Sequence, residues 1–236
     1  EEVAHGEVPK TPLSILFKYH WRSVLRVMFA AFIAMINTLY TVFALTFATS
    51  ATYGNGFSST FMLWIAIVAN LIAIAIIPFW ASLSDKVGRK PIFVTGAIGS
   101  GILAVAYMAA IASKNGVLVW TVGLLLAGVV YSMTNAVWPA TYAEYFPTHV
   151  RLSGMAIGTQ FGFGLAGFTP TIAAALAGTG SDGWSRVAIF AAGACAISAI
   201  AVATGPKKTH LIPTTELGQT QDGTRTVGST GTLRTS

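Results

Sequence analysis

The longest interval without a charged residue limits what this chain can fold into. Residues 27–84, 58 in all, contain no Asp, Glu, Lys or Arg, and most of them are apolar. A single helix of that length would measure about 87 Å at about 1.5 Å per residue. Because a hydrocarbon core is only about 30 Å thick, the interval predicts two spans joined by a turn. The turn is expected at the Tyr53, Gly54, Asn55 and Gly56 run.

Later apolar intervals are each long enough for one further span. The amino-acid composition also indicates a membrane protein, since hydrophobic residues make up 54% of the 236 residues and charged residues only 9%. That charge content is far below the quarter or so that is usual in soluble domains. Lipid requires every backbone group to be bonded internally, so runs of this length predict helices. The six predicted spans are 27–51, 59–82, 91–113, 117–142, 152–179 and 187–205.

The flanking segments are predicted to lie outside the lipid. Residues 1–23 are expected to be a cytoplasmic linker with an amphipathic stretch, although that stretch also suits the start of the first span. Residues 206–236, rich in Thr, Gly and Ser, are expected to form a disordered cytoplasmic tail. The first residues carry no signal peptide and no initiator Met, which suggests that an upstream part is missing.

The distribution of Lys and Arg predicts the orientation. Twelve of the 14 lie in the termini and in two alternate loops, whereas Lys114 and Arg186 lie on the other side. By the positive-inside rule, both termini are then cytoplasmic, in a multi-pass protein of the plasma membrane. The same confinement of positive charge to short segments excludes a nucleic-acid partner. With a lone cysteine, Cys195, the chain has no Cys/His metal motif, and neither a metal nor a cofactor is predicted.

A ten-residue loop after the second span carries the most specific signal. Residues 81–90 read ASLSDKVGRK, with Asp85, Gly88, Arg89 and Lys90 at fixed spacing. Gly88 suits a backbone with positive φ in a tight turn. Asp85 can pair with Arg89 or Lys90, or accept hydrogen bonds from a helix N-terminus. As a simpler alternative, these cations only anchor the loop on the positive side.

This loop resembles the signature G-x-L-x-D-x-x-G-R-K of the major facilitator superfamily, with Ala81 in place of the first Gly. The resemblance implies an all-α membrane protein in which the six spans form one half, helices 7–12, of a major facilitator fold. In that family the loop holds the two halves together on the cytoplasmic side. The resemblance therefore also implies a missing N-terminal six-helix half as a partner.

A second stretch resembles one branch of that superfamily. Residues 143–154 read AEYFPTHVRLSG, similar to a connection in the metabolite:proton symporters, whose members carry shikimate, 2-oxoglutarate or proline/betaine. Pro147 ends the preceding helix. Glu144 and Arg151 flank the turn, where they can pair and contribute to gating, or remain ordinary solvated charges.

The spans offer neutral polar groups instead of charges. Buried amides need partners in lipid, so these residues are expected to face the bundle interior, either bonding between helices or lining a substrate cavity. In the fourth span Tyr131, Asn135, Trp138 and Tyr142 form one helical stripe. The candidate cavity residues are Asn37, Tyr40, Asn70, Tyr131, Asn135, Trp138 and Gln160.

The function predicted from these features is secondary active transport of a small organic acid or zwitterion by alternating access. The resemblance implies proton coupling, although the spans contain no titratable carboxylate or histidine to carry the proton. A channel or a non-transporting membrane subunit is the alternative, and among carriers an exporter or a facilitator. A membrane enzyme is not predicted, because the sequence has no H-E-x-x-H or G-x-S-x-G motif.

Overall fold

A computed structural model describes residues 12–148, 150–179 and 183–205, and all regular structure in these ranges is helical. Six of its helices are long and apolar enough to cross a membrane, which confirms the predicted all-α membrane fold. Residues 1–11 and the expected tail at 206–236 lie outside the described part. The helices are α1 (Pro12–Tyr19), α2 (Trp21–Thr49), α3 (Ser59–Val87), α4 (Arg89–Ala112), α5 (Gly116–Ala143), α6 (Arg151–Ala177) and α7 (Trp184–Ala203).

The segment before the first span is a separate short helix. In α1 the side chain of Leu16 is buried, whereas Phe17, Lys18 and Tyr19 are exposed. The first spanning helix then begins at Trp21, six residues before the predicted start of the span.

The loops between the helices turn at glycine residues with positive φ. Gly54 and Gly56 both have positive φ, and the amide of Asn55 donates to the carbonyl of Phe47 at 2.8 Å. Between α3 and α4 the chain turns at Gly88 alone, with φ of 101°. A residue with a side chain rarely adopts that angle, so the predicted role of Gly88 in a tight turn is confirmed. The loops 84–91 and 143–152 meet at one end of the bundle, here called the basic end.

Small residues bring α6 against α2. A Cβ atom added at Gly158 would lie 2.8 Å from the side chain of Val27. At Gly162 it would lie 2.5 Å from the side chain of Ala31 and 2.7 Å from the carbonyl of Met28. The glycine repeat in α6 is therefore a packing face, because only a hydrogen atom fits between these helices.

Three of the spans are irregular near the centre of the bundle. α2 contains a π-helical turn at Leu39–Phe43, and α5 contains one at Leu124–Val130. α6 is interrupted at Phe168, two residues before Pro170. Such breaks change which residues face inward along a helix.

Burial differs among the six spans. In α2, α4 and α7, about half of the most apolar 18-residue stretch is buried. The buried share of the corresponding stretch is only 17% in α3 and 28% in α5 and in α6. The exposed side chains of α3 are mainly large and apolar, including Trp64, Ile67, Leu71 and Ile74. These surfaces require lipid or another apolar partner.

Candidate substrate cavity and the ion pair at the basic end

One cavity opens between α2, α5 and α6, with a volume of about 300 Å³. This volume is at the small end of the range for ligand sites and suits a small metabolite. Among the described residues that line the cavity, none is Asp, Glu, Lys, Arg or His. The lining residues are Ile33, Ala34, Asn37, Thr38, Tyr131, Asn135, Trp138, Tyr142, Phe163, Ala166 and Gly167.

Four of the seven candidate cavity residues meet there. Asn37 comes from α2, whereas Tyr131, Asn135 and Trp138 come from α5. The α5 residues, with Tyr142, recur at helical spacing and so share one face of the helix. That shared face is what the sequence stripe predicted.

The other three candidates lie elsewhere. The ring of Tyr40 is buried against that of Tyr107, with 5.2 Å between centroids, and does not line the cavity. Its position in the π-helical turn of α2 rotates it away from the face of Asn37. Asn70 is exposed and donates to the carbonyl of Ala66 in its own helix at 2.8 Å, and Gln160 is exposed on α6.

Phe163 is a lining residue that the sequence did not indicate. Its ring meets that of Trp138 edge to face, with 5.8 Å between centroids. An aromatic residue in an apolar span gives no sign of which way it faces. The packing of Gly162 against α2 decides the direction in which the next residue points.

At the basic end, one ion pair joins the two loops that carry the sequence motifs. Nη1 of Arg89 lies 2.6 Å from Oε1 of Glu144, and both side chains are partly buried. Glu144 thus pairs with the 84–91 loop, and not with Arg151 across its own turn. Nε of Arg151 instead donates to the carbonyl of Phe146 at 3.4 Å.

Neighbouring contacts extend this connection to the end of α7. Nζ of Lys90 donates to the carbonyl of Gly205, and the hydroxyl of Tyr145 donates to the carbonyl of Val202 at 3.4 Å. Burial raises the pKa of Tyr145 to about 12, with Arg26 acting against the rise and Glu144 adding to it. The hydroxyl therefore stays protonated and remains a donor at neutral pH.

Asp85 does not take part in this network. Its side chain is exposed, and among the described residues it has no ion-pair partner. The acid that the sequence placed beside Arg89 and Lys90 is therefore open to solvent or to a partner on this face of the chain.

Six spans and an uncharged cavity between three of them define a multi-pass helical membrane protein. The sequence model of the Major Facilitator Superfamily matches residues 8–228, and the chain belongs to that family. The resemblance inferred from the ASLSDKVGRK loop is confirmed.

Curated relatives are similar over about two thirds of this chain. It is 30% identical over 168 residues to the shikimate transporter of Escherichia coli K12, covering 69% of this chain and 37% of the relative. It is 28% identical to the proline/betaine transporter of Salmonella typhimurium LT2, covering 74% and 34%. It is 33% identical to the glycine betaine/proline/ectoine/pipecolic acid transporter of Dickeya dadantii, covering 66% and 30%. The chain thus spans about a third of these relatives' length, and no solved structure matches it.

Proposed function

We propose that this chain is the C-terminal half of a secondary transporter that moves a small organic acid or zwitterion by alternating access. The observation that carries the proposal is the convergence of Asn37, Asn135 and Trp138 on one cavity between α2, α5 and α6. Polar side chains inside an apolar bundle are costly unless they bind one another or a substrate. The names of the relatives support the substrate class, since shikimate is an acid and betaine a zwitterion.

An N-terminal six-helix half, on the same or another chain, covers the exposed face of this one. Asn70 on α3 and Gln160 on α6 are both exposed, and both helices are weakly buried. An amide facing lipid is unfavourable, whereas an amide facing a second half can be bonded or can complete the substrate path. These two residues therefore remain candidates for the cavity of the assembled carrier.

The basic end forms the cytoplasmic gate of this half. The Arg89–Glu144 pair and the Lys90–Gly205 bond hold the ends of α4, α5 and α7 together as one unit. The free carboxylate of Asp85 contacts the other half when the cytoplasmic side closes. With the basic end inside, both termini lie in the cytoplasm and the protein resides in the plasma membrane.

Proton coupling is assigned to the other half. The cavity-lining residues described here include no carboxylate or histidine, and intramembrane proton carriers are usually such groups. An imposed proton gradient should therefore drive uptake in the assembled carrier, with the titrating group outside this chain.

The test is flux into liposomes that contain both halves. A carrier gives uptake that saturates with substrate concentration, whereas a channel gives linear flux. Asn135→Ala should raise KM by about 2- to 10-fold, the value of one neutral hydrogen bond. Thr121→Val, at an exposed hydroxyl that bonds its own helix, is the matched control and should leave KM unchanged. Linear flux that is insensitive to Asn135→Ala would contradict the proposal.

A further inference from the structure

The cavity wall includes a hydrogen bond between two helices. Oγ1 of Thr38 on α2 lies 3.1 Å from the carbonyl oxygen of Ala166 on α6, and both residues line the cavity. Pro170 has no N–H, so it cannot bond the carbonyl four residues before it, which is that of Ala166. In an apolar bundle, a hydroxyl from a neighbouring helix can satisfy such a freed carbonyl. Thr38 therefore supplies the donor that Pro170 lacks.

The single proton of the Thr38 hydroxyl has two acceptors within reach. Its oxygen also lies 3.1 Å from the carbonyl oxygen of Met35 in α2. The carbonyl of Met35 retains its regular helical donor, the amide of Leu39. That of Ala166 has lost its regular donor, because Pro170 occupies the donor position. Since a buried carbonyl without a donor is costly, donation to Ala166 stabilises the bundle more than donation to Met35.

The bond lies at the end of a seam of close packing between α2 and α6. Gly158 and Gly162 bring α6 against α2, and Ala166 follows four residues later on the same face of the helix. Directly beyond the bond, both helices lose their regular geometry. The π-helical turn of α2 begins at Leu39, and α6 is interrupted at Phe168. The bond therefore marks the boundary between a tightly packed helix pair and two irregular segments.

The segments beyond the bond contain polar groups that this arrangement does not satisfy. Tyr40 in the π-helical turn and Thr169 after the break are both buried, and neither hydroxyl has a hydrogen-bond partner among the described residues. In the described parts of α2 and α6 that precede the bond, no buried side-chain polar group lacks a partner. A rearrangement beyond the bond can thus gain hydrogen bonds, whereas one within the seam can only lose contacts.

We propose, resting on the transport function above, that Thr38 is a positioning residue at a hinge of the carrier. Its bond to Ala166 fixes the first part of α6, Arg151–Gly167, to α2 as one unit. The second part, Thr169–Ala177, packs on the π-helical turn and on α7, and it moves relative to that unit when the carrier changes state. Thr38 determines where the cavity wall bends, and it acts through Ala166 and not on the substrate.

The first experiment measures hydrogen exchange in the assembled carrier and does not depend on transport. Thr38→Val removes the hydroxyl and keeps the shape, so the amides of residues 163–172 should exchange about 2- to 10-fold faster, the value of one neutral hydrogen bond. Thr38→Ser keeps the hydroxyl and should exchange like the unchanged protein. Thr46→Val, at a hydroxyl that bonds Val42 in its own helix at 3.0 Å, is the matched control and should have no effect. Unchanged exchange in Thr38→Val would overturn the inference.

A second background tests why the bond is needed. Pro170→Ala restores an N–H at the donor position for the carbonyl of Ala166. Adding Thr38→Val should then leave the exchange of residues 163–172 as it is in Pro170→Ala alone. An equal acceleration in both backgrounds would overturn the inference, because the carbonyl freed by Pro170 would not be the reason for the bond.

Uptake separates positioning from substrate contact. With shikimate and with glycine betaine as probes, in liposomes that contain both halves, Thr38→Val should lower the maximal rate about 2- to 10-fold and leave KM unchanged. Thr38→Ser should restore the rate. A higher KM at an unchanged maximal rate would mean that Thr38 binds substrate directly, and would overturn the inference.

The two proposals fail in different ways. Saturable uptake together with unchanged exchange in Thr38→Val would overturn the hinge and leave the transport function standing. Linear flux of both probes together with faster exchange in Thr38→Val would overturn the transport function and leave the Thr38–Ala166 bond as the hinge of α6.

Discussion

Arg89 at the start of α4 donates through Nη1 to Oε1 of Glu144 at the end of α5, at 2.6 Å and across 55 residues of sequence. The pair joins the two loops in which the family motifs lie. Its side chains are 37% and 27% exposed, so its contribution to stability is small, about 0–1 kcal/mol. We expect its importance to lie in the balance between inward- and outward-facing states.

Breaking this pair should slow transport without unfolding the protein. Glu144→Gln leaves Arg89 without its carboxylate, and the loss of up to about 1 kcal/mol in the state that holds the pair changes the populations of the two states by up to roughly 5-fold. Initial uptake rate, normalised to surface expression, measures the effect. In a double-mutant cycle, Glu144→Gln should be non-additive with Arg89→Gln and additive with Arg151→Gln, because Arg151 bonds the carbonyl of Phe146. Additivity with both would contradict the role of the pair.

Asp85→Asn should impair transport far more than Lys114→Gln. Asp85 is the acid of a loop with three cations, and its exposed carboxylate is free to contact the other half. Lys114 lies at the opposite end of the bundle, where we expect the loss of a single exposed charge to have little effect on transport. The measurement is initial uptake for both variants in the assembled carrier. Equal rates would mean that the loop only anchors the topology.

Gly162→Ala should destabilise the bundle. The new methyl group would lie 2.5 Å from the side chain of Ala31, which forces α6 away from α2. We expect a loss of about 1–3 kcal/mol, as for other overpacked cores. The check is thermal unfolding in detergent. Gly164→Ala, where nothing lies within 4 Å, is the matched control and should be neutral, and an equal loss there would contradict the packing argument.

This chain reconstituted alone should not transport. The cavity lies between α2, α5 and α6 and is partly open, so it is not enclosed by this half. Co-reconstitution with the N-terminal half should restore saturable uptake. Robust uptake by the chain alone, in particles shown by cross-linking to be monomeric, would be inconsistent with the two-half arrangement.

The sequence by itself determined the number of spans and the residues of α5 that face the cavity. A 58-residue interval without charge is too long for one span and must cross the bilayer twice. The spacing of Tyr131, Asn135 and Trp138 places them on one helical face. The turn at Gly88 was also predictable, because few residues besides glycine adopt its positive φ.

Only the tertiary structure decided which residues from different helices meet. Local spacing suggested that Glu144 would pair with Arg151, but the packing of α4 beside α5 brings Arg89 closer. Tyr40 was predicted to be a cavity residue like Asn37, but it lies in the π-helical turn and packs in the core against Tyr107. Phe163 joins Trp138 because Gly162 packs against α2. Periodicity determines the face of one helix, whereas contacts between helices depend on their packing and on irregular turns that the pattern does not reveal.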